Sequence, residues 1–262
     1  MKKTFALVKT CISNSFSYRG DVFLFTLGNF VQPLVFLLVW LAVISSGGSA
    51  PLSRTEFIQY YLLVIIVHLW SSAWAAPFIS HDIRMGKISP FLIKPAPYLI
   101  FQIGNNIGEK ILKSFFAVPL VLFLGAMFGL NFPTLSIWEW LVFLMSWVIA
   151  AAIIFLFDII IGISAFWIED SRSLDEFYDV LLYFFSGRLI PLIALPLLLQ
   201  HVANFLPFRY TMSFPIEIIL RKLTNSQLIV GLFAQLFWLA IIVFIYKKLW
   251  KLGLKKYSAS GA

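Results

Sequence analysis

Long apolar runs alternate with short polar segments along the whole 262-residue chain. A run of about twenty apolar residues is long enough to cross a hydrocarbon core of about 30 Å as an α-helix. The short alternating segments that are typical of membrane β-strands do not occur. The pattern therefore predicts an all-α polytopic membrane protein, with one transmembrane domain over residues 1–262. Its six predicted spans cover residues 22–44, 57–79, 107–128, 137–168, 174–189 and 228–246.

A motif typical of helix N-termini precedes or opens four of the apolar runs. In this capping box, a Ser or Thr side chain accepts a hydrogen bond from the backbone three residues later, and a Glu or Gln at that position reaches back. Each box therefore predicts that a helix begins there. The four boxes pair Ser53 with Glu56, Ser136 with Glu139, Ser173 with Glu176, and Thr224 with Gln227.

Residues 1–20 form an amphipathic segment ahead of the first span. Phe5, Val8, Ile12 and Phe16 fall on one face of a helix, and polar residues lie elsewhere around it. The pattern predicts an interfacial helix that lies along the membrane surface. We discount a cleaved signal peptide, because polar residues interrupt the apolar run and no cleavage site with small residues follows it.

A second irregular segment, residues 190–208, is apolar but is interrupted by Pro191, Pro196 and Pro207. Neither half is long enough to cross a membrane. We therefore expect a re-entrant hairpin that dips into the outer leaflet and is buried against protein. Such a hairpin suits the gate or mouth of a pathway, and it also suits a simple cap on the outer surface.

A polar stretch at residues 81–97 separates the second and third spans. It mixes Asp82, Arg84, Lys87 and Lys94 with apolar residues. We expect a short helix that lies on the inner surface of the membrane and presents an apolar face. Both an interfacial anchor and a docking site for a partner fit this pattern.

Four polar residues lie within the predicted spans or at their ends. Asn29 and Gln32 share one helical face, which fits either contact between helices or the lining of a pathway. For Asp158 we expect an ion pair with a cation of a neighbouring span rather than a functional role. At the centre of a span, Arg188 would cost about 2.5–3.5 kcal/mol. We therefore end the fifth span at residue 189, which places Arg188 at the outer interface.

Charged residues make up only 12% of the chain, yet its net charge is +8. In the six-span arrangement, fifteen Lys and Arg residues fall on one side of the membrane and five on the other. This asymmetry predicts cytoplasmic termini in a multi-pass protein of the cell inner (plasma) membrane. Basic residues on that side would contact anionic membrane lipids, so the positive net charge does not require a nucleic-acid partner.

The sequence lacks the residues that several common sites require. Cys11 is its one cysteine, so an internal disulfide and a cysteine zinc site are excluded. The three histidines show no metal-ligand spacing. No nucleotide-binding glycine loop occurs, so any use of ATP needs another polypeptide.

In this arrangement the chain resembles the membrane subunit of ABC exporters of the type-two permease family. The resemblance covers nearly the whole chain and rests on the order of several short motifs along the six spans. These motifs are the amphipathic N-terminal segment, residues 82–84, 86–88, 92–95, 166–170 and 190–192, Gly187, Pro196, residues 206–208 and Pro215.

The resemblance implies a dimer of six-span permeases with two ATPase subunits beneath it. The second permease would be another copy or a related subunit. ATP and Mg²⁺ would bind to the ATPase, and this chain would bind no cofactor or metal and would have no catalytic site. The substrate would move between the two permeases near spans one, two and five.

The resemblance also implies roles for individual residues. Residues 81–97 would form a cytoplasmic coupling helix that fits a groove on the ATPase. Gly86 would allow a tight turn, and Ile88, Phe91 and Leu92 would supply apolar contact. The implied coupling residues are Asp82, Arg84, Gly86, Lys87, Ile88, Phe91, Leu92 and Lys94, and the implied pathway or gate residues are Asn29, Gln32, Arg188 and Pro191.

The sequence thus predicts a non-enzymatic permease of an ATP-driven exporter, which moves an amphipathic or apolar substrate outward by alternating access. An ion-coupled secondary transporter or channel is the alternative, and Asp158 is the one mid-membrane acid that it could use. A lipid-modifying membrane enzyme is less favoured, because it needs converging Asp, His or Ser groups. The acids of residues 169–179 instead resemble a helix start and a solvated loop.

Overall fold

The computed structural model describes residues 19–92, 98–130 and 132–257, together with Thr10 and Ser13. Most of the predicted interfacial helix, and Lys94 of the coupling loop, lie outside these residues. The described residues form helices, turns and loops, without a strand. The α-helices are α1 (Arg19–Ser45), α2 (Arg54–Ser71), α3 (Ala76–Arg84), α4 (Ser89–Leu92), α5 (Tyr98–Met127), α6 (Ile137–Ile163), α7 (Arg172–Phe185), α8 (Leu197–Phe205), α9 (Ser213–Ile219) and α10 (Asn225–Lys256).

Five helical segments of the described chain are long and apolar enough to cross a membrane: Val22–Ser45, Arg54–Arg84, Tyr98–Met127, Ile137–Phe166 and Asn225–Lys256. They support a multi-pass membrane protein. Helix α7 has 14 residues, which is about 21 Å of helix and less than a hydrocarbon core of about 30 Å. It is not one of the five, so the predicted sixth span stays a prediction.

Helix α6 lies at the centre of the described bundle, because it packs against α2, α3, α9 and α10. A fully buried amide reinforces this packing. The Nε2 atom of Gln235 in α10 donates to the carbonyl oxygens of Ser146 at 3.1 Å and Tyr210 at 2.8 Å. One side chain thus joins α10, α6 and the 3₁₀ turn Pro207–Thr211 in an apolar interior, where an unpaired donor would be costly.

Three helices begin at the same end of the bundle, which we call the capped end. Ser53, Ser136 and Thr224 each accept a hydrogen bond of 3.3 Å from the backbone N–H three residues later. The Glu or Gln at that position accepts the reciprocal bond. The capping boxes predicted for α2, α6 and α10 are therefore confirmed.

The capping box predicted at Ser173 is wrong. Helix α7 begins at Arg172, so that Ser173 lies inside its first turn. The preceding loop supplies a different acceptor, because the Asp170 carboxylate accepts a hydrogen bond of 2.9 Å from the Arg172 N–H. The helix therefore starts at Arg172, two residues before the predicted start at residue 174.

The glutamates of two capping boxes also form ion pairs. Glu56 pairs with Lys222, and Glu139 pairs with Arg221 at 2.6 Å. Both cations belong to the turn between α9 and α10. The beginnings of α2 and α6 are thereby fastened to the turn that precedes α10.

Several predicted spans have different boundaries in the structure, and the sixth, for example, extends over Asn225–Lys256. The second is interrupted at residues 72–75, so that α2 and α3 are separate helices. The third begins at Tyr98 rather than at residue 107. The prolines divide residues 190–208 as the sequence predicts, since Pro196 directly precedes α8 and Pro207 begins a 3₁₀ turn. The re-entrant position of this hairpin stays a prediction.

Arg221 holds a backbone conformation that non-glycine residues rarely adopt, with φ at 53°. It follows α9, and the next N–H, that of Lys222, donates to the Glu217 carbonyl at 3.0 Å. Glycine is the usual residue at this position of a helix end, because it has no Cβ to clash.

We therefore expect Arg221→Gly to be more stable than Arg221→Ala. Both variants lose the ion pair with Glu139, but only alanine keeps the strained backbone. Thermal unfolding of both variants in the same detergent would show a midpoint a few degrees higher for glycine. Equal midpoints would mean that the positive φ carries no strain.

Candidate functional site

The gap between α2 and α3 is closed by a side chain from another helix. The Asp158 carboxylate of α6 accepts hydrogen bonds from the backbone N–H groups of Ala75 and Ala76, the second at 3.0 Å. Pro77 occupies the first turn of α3, where it removes no needed donor. A buried anion thus satisfies the free N–H groups at a helix N-terminus.

The predicted ion pair of Asp158 with a neighbouring cation is therefore wrong. Within the described part of the chain, Asp158 has no Lys, Arg or His partner in an ion pair. The start of α3 takes the place of that cation, because its free N–H groups carry partial positive charge. Asp158 does join two predicted spans, the fourth and the second, but through backbone N–H groups rather than through a cation.

A cavity of about 200 Å³, called the central cavity, lies beside this break. Helices α1, α2, α6 and α7 and the break itself contribute to its wall. It contains three acids and one arginine. Its lining residues are Asn29, His68, Ser72, Ala73, Trp74, Pro77, Ile154, Asp158, Asp175, Tyr178, Asp179, Leu182, Tyr183 and Arg188.

The structure buries Arg188 in the wall of this cavity, with only 9% of the residue exposed. The guanidinium carbon lies 4.5 Å from the centre of the Tyr183 ring, a distance that favours a cation–π contact. Arg188 thus faces a cavity within the protein, and its position at the outer membrane interface stays a prediction. After α7 the chain turns at Gly187, where φ is 87°, and Arg188 lies among polar residues of the cavity.

Two tyrosine hydroxyls hold the segment that contains Arg188. Tyr60 donates to the Gly187 carbonyl at 2.7 Å, and Tyr61 donates to the Leu189 carbonyl at 2.9 Å. The approach is close, because a Cβ on Gly187 would lie 2.5 Å from the Tyr60 oxygen. We call residues 186–189 the tyrosine-held segment.

A second cavity of about 420 Å³, the capped-end cavity, is also lined by Tyr60. Pro191 contributes to its wall, as do the paired residues Arg209 and Glu217, which are 2.6 Å apart. Burial raises the pKa of Glu217, although the Arg209 guanidinium opposes that rise. Arg188 of the tyrosine-held segment lines the central cavity, and Pro191, two residues after that segment, lines the capped-end cavity.

A third cavity of about 470 Å³ lies at the opposite end, where α10 ends, and we call it the tail-end cavity. Trp74 lines both this cavity and the central one. The three cavities therefore follow one another from end to end of the described bundle. The tail-end cavity is lined by Val22, Trp74, Ala75, Phe78, Asp82, Phe101, Gln102, Asn105, Asn106 and Glu109.

The predicted pathway residues are only partly brought together. Asn29 and Arg188 line the central cavity, and Pro191 lines the capped-end cavity. Gln32 lines neither of them. Sequence reasoning missed Asp175 and Asp179, although their spacing of four residues places them on one face of α7.

The turn predicted at Gly86 is confirmed, since its φ is 70°. The Gly86 N–H donates to the Ile83 carbonyl at 3.2 Å, and the Lys87 N–H donates to the Asp82 carbonyl at 2.8 Å. This pair of bonds is a Schellman motif, which ends α3 at a glycine in the left-handed region. The side chain of Asp82 accepts a further hydrogen bond of 2.7 Å from the Tyr98 hydroxyl.

The apolar residues of the coupling loop differ in their exposure. Ile88 is fully buried and Phe91 packs between the rings of Tyr98 and Phe101, so both contribute to the protein's own core. Ile88 offers no exposed surface in this structure, and its expected contact with a partner stays a prediction. Among residues 81–92, the described part of the loop, the large apolar side chains of Leu92 and Met85 are exposed, at 46% and 59%.

Met85 was missed by the sequence analysis, although a signal for it exists. Ile79 and Ile83 are four residues apart and form the buried stripe of α3. Met85 follows two residues later and therefore points away from that stripe. The other exposed residues within the described positions 81–92 are His81, Arg84, Lys87 and Pro90.

The coupling loop is fastened to the end of α10. The hydroxyls of Ser89 and Tyr257 form a hydrogen bond of 2.7 Å. The rings of Tyr98 and Trp250 stack with centres 6.1 Å apart and planes inclined by 6°. These contacts give the loop a defined position at the tail end.

The comparison with known families decides what this arrangement belongs to. A family described as ABC-2 family transporter protein matches residues 30–261. The chain belongs to the ABC-2 transporter family. The resemblance drawn from the sequence is thereby confirmed. No curated protein matches the chain.

Membership of the ABC-2 family gives the chain a permease role. Permeases of this family are transport subunits of the membrane, and their family implies an ABC ATPase as partner. The five apolar segments agree with a multi-pass membrane protein of this kind.

The cap at Asp158 can be tested with two substitutions of similar size. Asp158→Leu leaves two buried N–H groups without an acceptor, so we expect a loss of about 1–3 kcal/mol in stability. Asp158→Asn keeps an acceptor oxygen and is expected to lose less. Thermal unfolding of both in one detergent gives the comparison. Equal losses would show that Asp158 does not act through these hydrogen bonds.

Proposed function

We propose that this permease belongs to an ATP-driven exporter and moves an amphipathic substrate outward. The match of residues 30–261 to the ABC-2 family carries this proposal. ATP and Mg²⁺ bind to the separate ATPase subunit, since the sequence has no nucleotide-binding glycine loop of its own. This chain supplies the route and has no catalytic site.

The proposed topology has six spans, with α7 as the fifth, and both termini are cytoplasmic. The protein lies in the cell inner membrane. The excess of Lys and Arg on the side of the tail supports this orientation. The capped end and the hairpin then face outward. One face of α7 exposes Leu174, Phe177, Val180 and Phe184, which suits contact with lipid or with a second permease in a dimer.

The coupling loop is the proposed contact with the ATPase. Arg84, Met85, Lys87 and Leu92 are exposed there, and hydrogen bonds to Tyr98 and Tyr257 keep the surrounding loop in place. Binding of ATP can shift the permease between two states only if the ATPase contacts those states differently. This loop provides a surface for such contacts.

A displacement of the loop would reach the cavities through α3. This helix has nine residues and is therefore about 14 Å long. Its far end is held by Asp158 at the wall of the central cavity. If α3 moves as a rigid body, a displacement at the coupling loop also displaces its N-terminus, beside Trp74 and Pro77.

The docking surface can be tested by the double substitution of Met85 and Leu92 to alanine. We expect capture of the ATPase subunit from native membranes to fall about tenfold, because exposed apolar anchors carry much of an interface's affinity. The matched control replaces Leu197 and Leu198 of α8, which are also exposed but belong to the proposed outer hairpin. It should capture the ATPase normally.

Two results would contradict the proposal. Unchanged capture by the Met85 and Leu92 variant would remove the coupling loop as the docking surface. Absence of any ATPase from the preparation of the unaltered, folded permease would remove the exporter function itself.

A second candidate is an ion-coupled carrier. The observation that favours it is the group of Asp158, Asp175, Asp179 and His68 around one cavity, since ion-coupled transport needs ionisable residues within the membrane. Transport by proteoliposomes that contain the permease alone, compared with proteoliposomes that contain the permease and its ATPase, distinguishes the two functions. Uptake driven by a proton gradient would establish the carrier, and uptake that requires the ATPase and ATP would establish the exporter.

A further inference from the structure

The acidic residues of this basic chain are concentrated in its cavities. The three cavities are lined by seven of its twelve Asp and Glu residues, but by three of its twenty Lys and Arg residues. Two of those three cations, Arg209 and Lys222, are already ion-paired in the capped-end cavity. The lining of the central cavity keeps a surplus of negative charge.

The charges of the central cavity can be assigned one by one. Asp158 is matched by the N-terminus of α3, whose two N–H groups it accepts. Arg188 balances one of the two remaining acids, Asp175 and Asp179. In the described structure neither of these two carboxylates has an ion pair or a side-chain hydrogen bond. Asp175 and Asp179 therefore share one guanidinium, which leaves the lining with a surplus of negative charge, and the buried Lys110, which lies outside the lining, interacts electrostatically with Asp158.

Buried polar atoms in the same wall also lack partners. The Tyr178 hydroxyl, the His68 Nδ1 atom and the Arg188 Nε atom, the last of which is a donor, have no hydrogen-bond partner in the part of the chain that the structure describes. These residues are only 8% or 9% exposed. Buried polar groups are normally satisfied, and exceptions often mark a ligand or water site. The oxygen and a neutral ring nitrogen both accept hydrogen bonds from an ammonium group.

Aromatic rings complete the environment for a cation. Trp74, Tyr178 and Tyr183 line the central cavity together with the acids. The faces of such rings attract ammonium groups, and this attraction is stronger where water is excluded. Carboxylates, acceptor atoms and ring faces are therefore gathered at one place.

The sizes of the cavities indicate how such a ligand would lie. The central cavity of about 200 Å³ is smaller than the roughly 300–1,000 Å³ that is typical for drug-sized ligands. It fits a charged head group. Past Trp74, the tail-end cavity of about 470 Å³ has apolar walls at Val22, Phe78 and Phe101, which suit an apolar body.

We propose that the central cavity binds the ammonium group of an amphipathic organic cation, whose apolar part lies in the tail-end cavity. This inference rests on the proposed function only in naming the exported substrate class. Binding itself requires neither ATP nor the ATPase. Asp175 and Asp179 supply the attraction, and because Asp175 is half-buried and Asp179 is exposed, we place Asp179 at the mouth of the cavity.

The test measures binding of the fluorescent cation rhodamine 6G to the purified full-length permease, in nanodiscs without ATPase, by fluorescence anisotropy. The variant replaces Asp175 and Asp179 with asparagine. The control replaces Glu169 and Glu176 with glutamine, which changes the net charge equally at exposed acids outside the cavities. Conservative replacement of Asp175 and Asp179 by glutamate retains the charge and reports on folding.

We expect the asparagine variant to raise the Kd about tenfold, while the glutamine control stays within about twofold of the unaltered protein and the glutamate variant retains binding. Equal affinity in the unaltered protein, the asparagine variant and the control would overturn the proposal. Equal or tighter binding of the anionic dye fluorescein would also overturn it. If the capture experiment with the unaltered permease recovers no ATPase, the exporter function is rejected, but the result of this binding experiment is unaffected.

Discussion

The carboxylate of Asp158 determines how the middle of this membrane domain is built. It lies on α6, the helix against which most of the others pack, and it accepts two N–H groups at the start of α3. Without an acceptor, a helix that begins inside an apolar bundle would leave these groups unsatisfied. The break at residues 72–75 is therefore stable because Asp158, more than eighty positions away in the sequence, supplies the hydrogen-bond acceptor for these N–H groups.

Several features depend on that break. It turns one predicted span into two helices and places Trp74 and Pro77 in the wall of the central cavity. It also makes α3 a separate short rod between the cavity and the coupling loop. The Schellman turn at Gly86, the bond between Asp82 and Tyr98 and the contact of Ser89 with Tyr257 then fix the other end of this rod. The nine-residue helix α3 consequently connects the wall of the central cavity to the proposed contact with the ATPase.

Features that depend on neighbouring residues could be predicted from the sequence. Three helix starts were found from capping boxes, and the turn at Gly86 from its glycine, because the interactions involved span only a few residues. The break at 72–75 could not be found, since Ser72, Ala73 and Trp74 continue an apolar run and the deciding partner lies on another helix. The burial of Ile88 and of Arg188 was missed for the same reason, because tertiary packing determines both.

The tyrosine-held segment has an electrical consequence. Arg188 of this segment lines the central cavity, and Tyr60, which holds it, lines the capped-end cavity. Where water fills both cavities, each would carry the potential of the solution to which it opens. The voltage across the membrane would then fall mainly over this thin wall rather than over the whole hydrocarbon thickness. For each 100 mV, a unit charge that crosses the wall would gain or lose about 2.3 kcal/mol. The hydroxyls of Tyr60 and Tyr61, which hold this segment, would then lie where the electric field across the membrane is strongest.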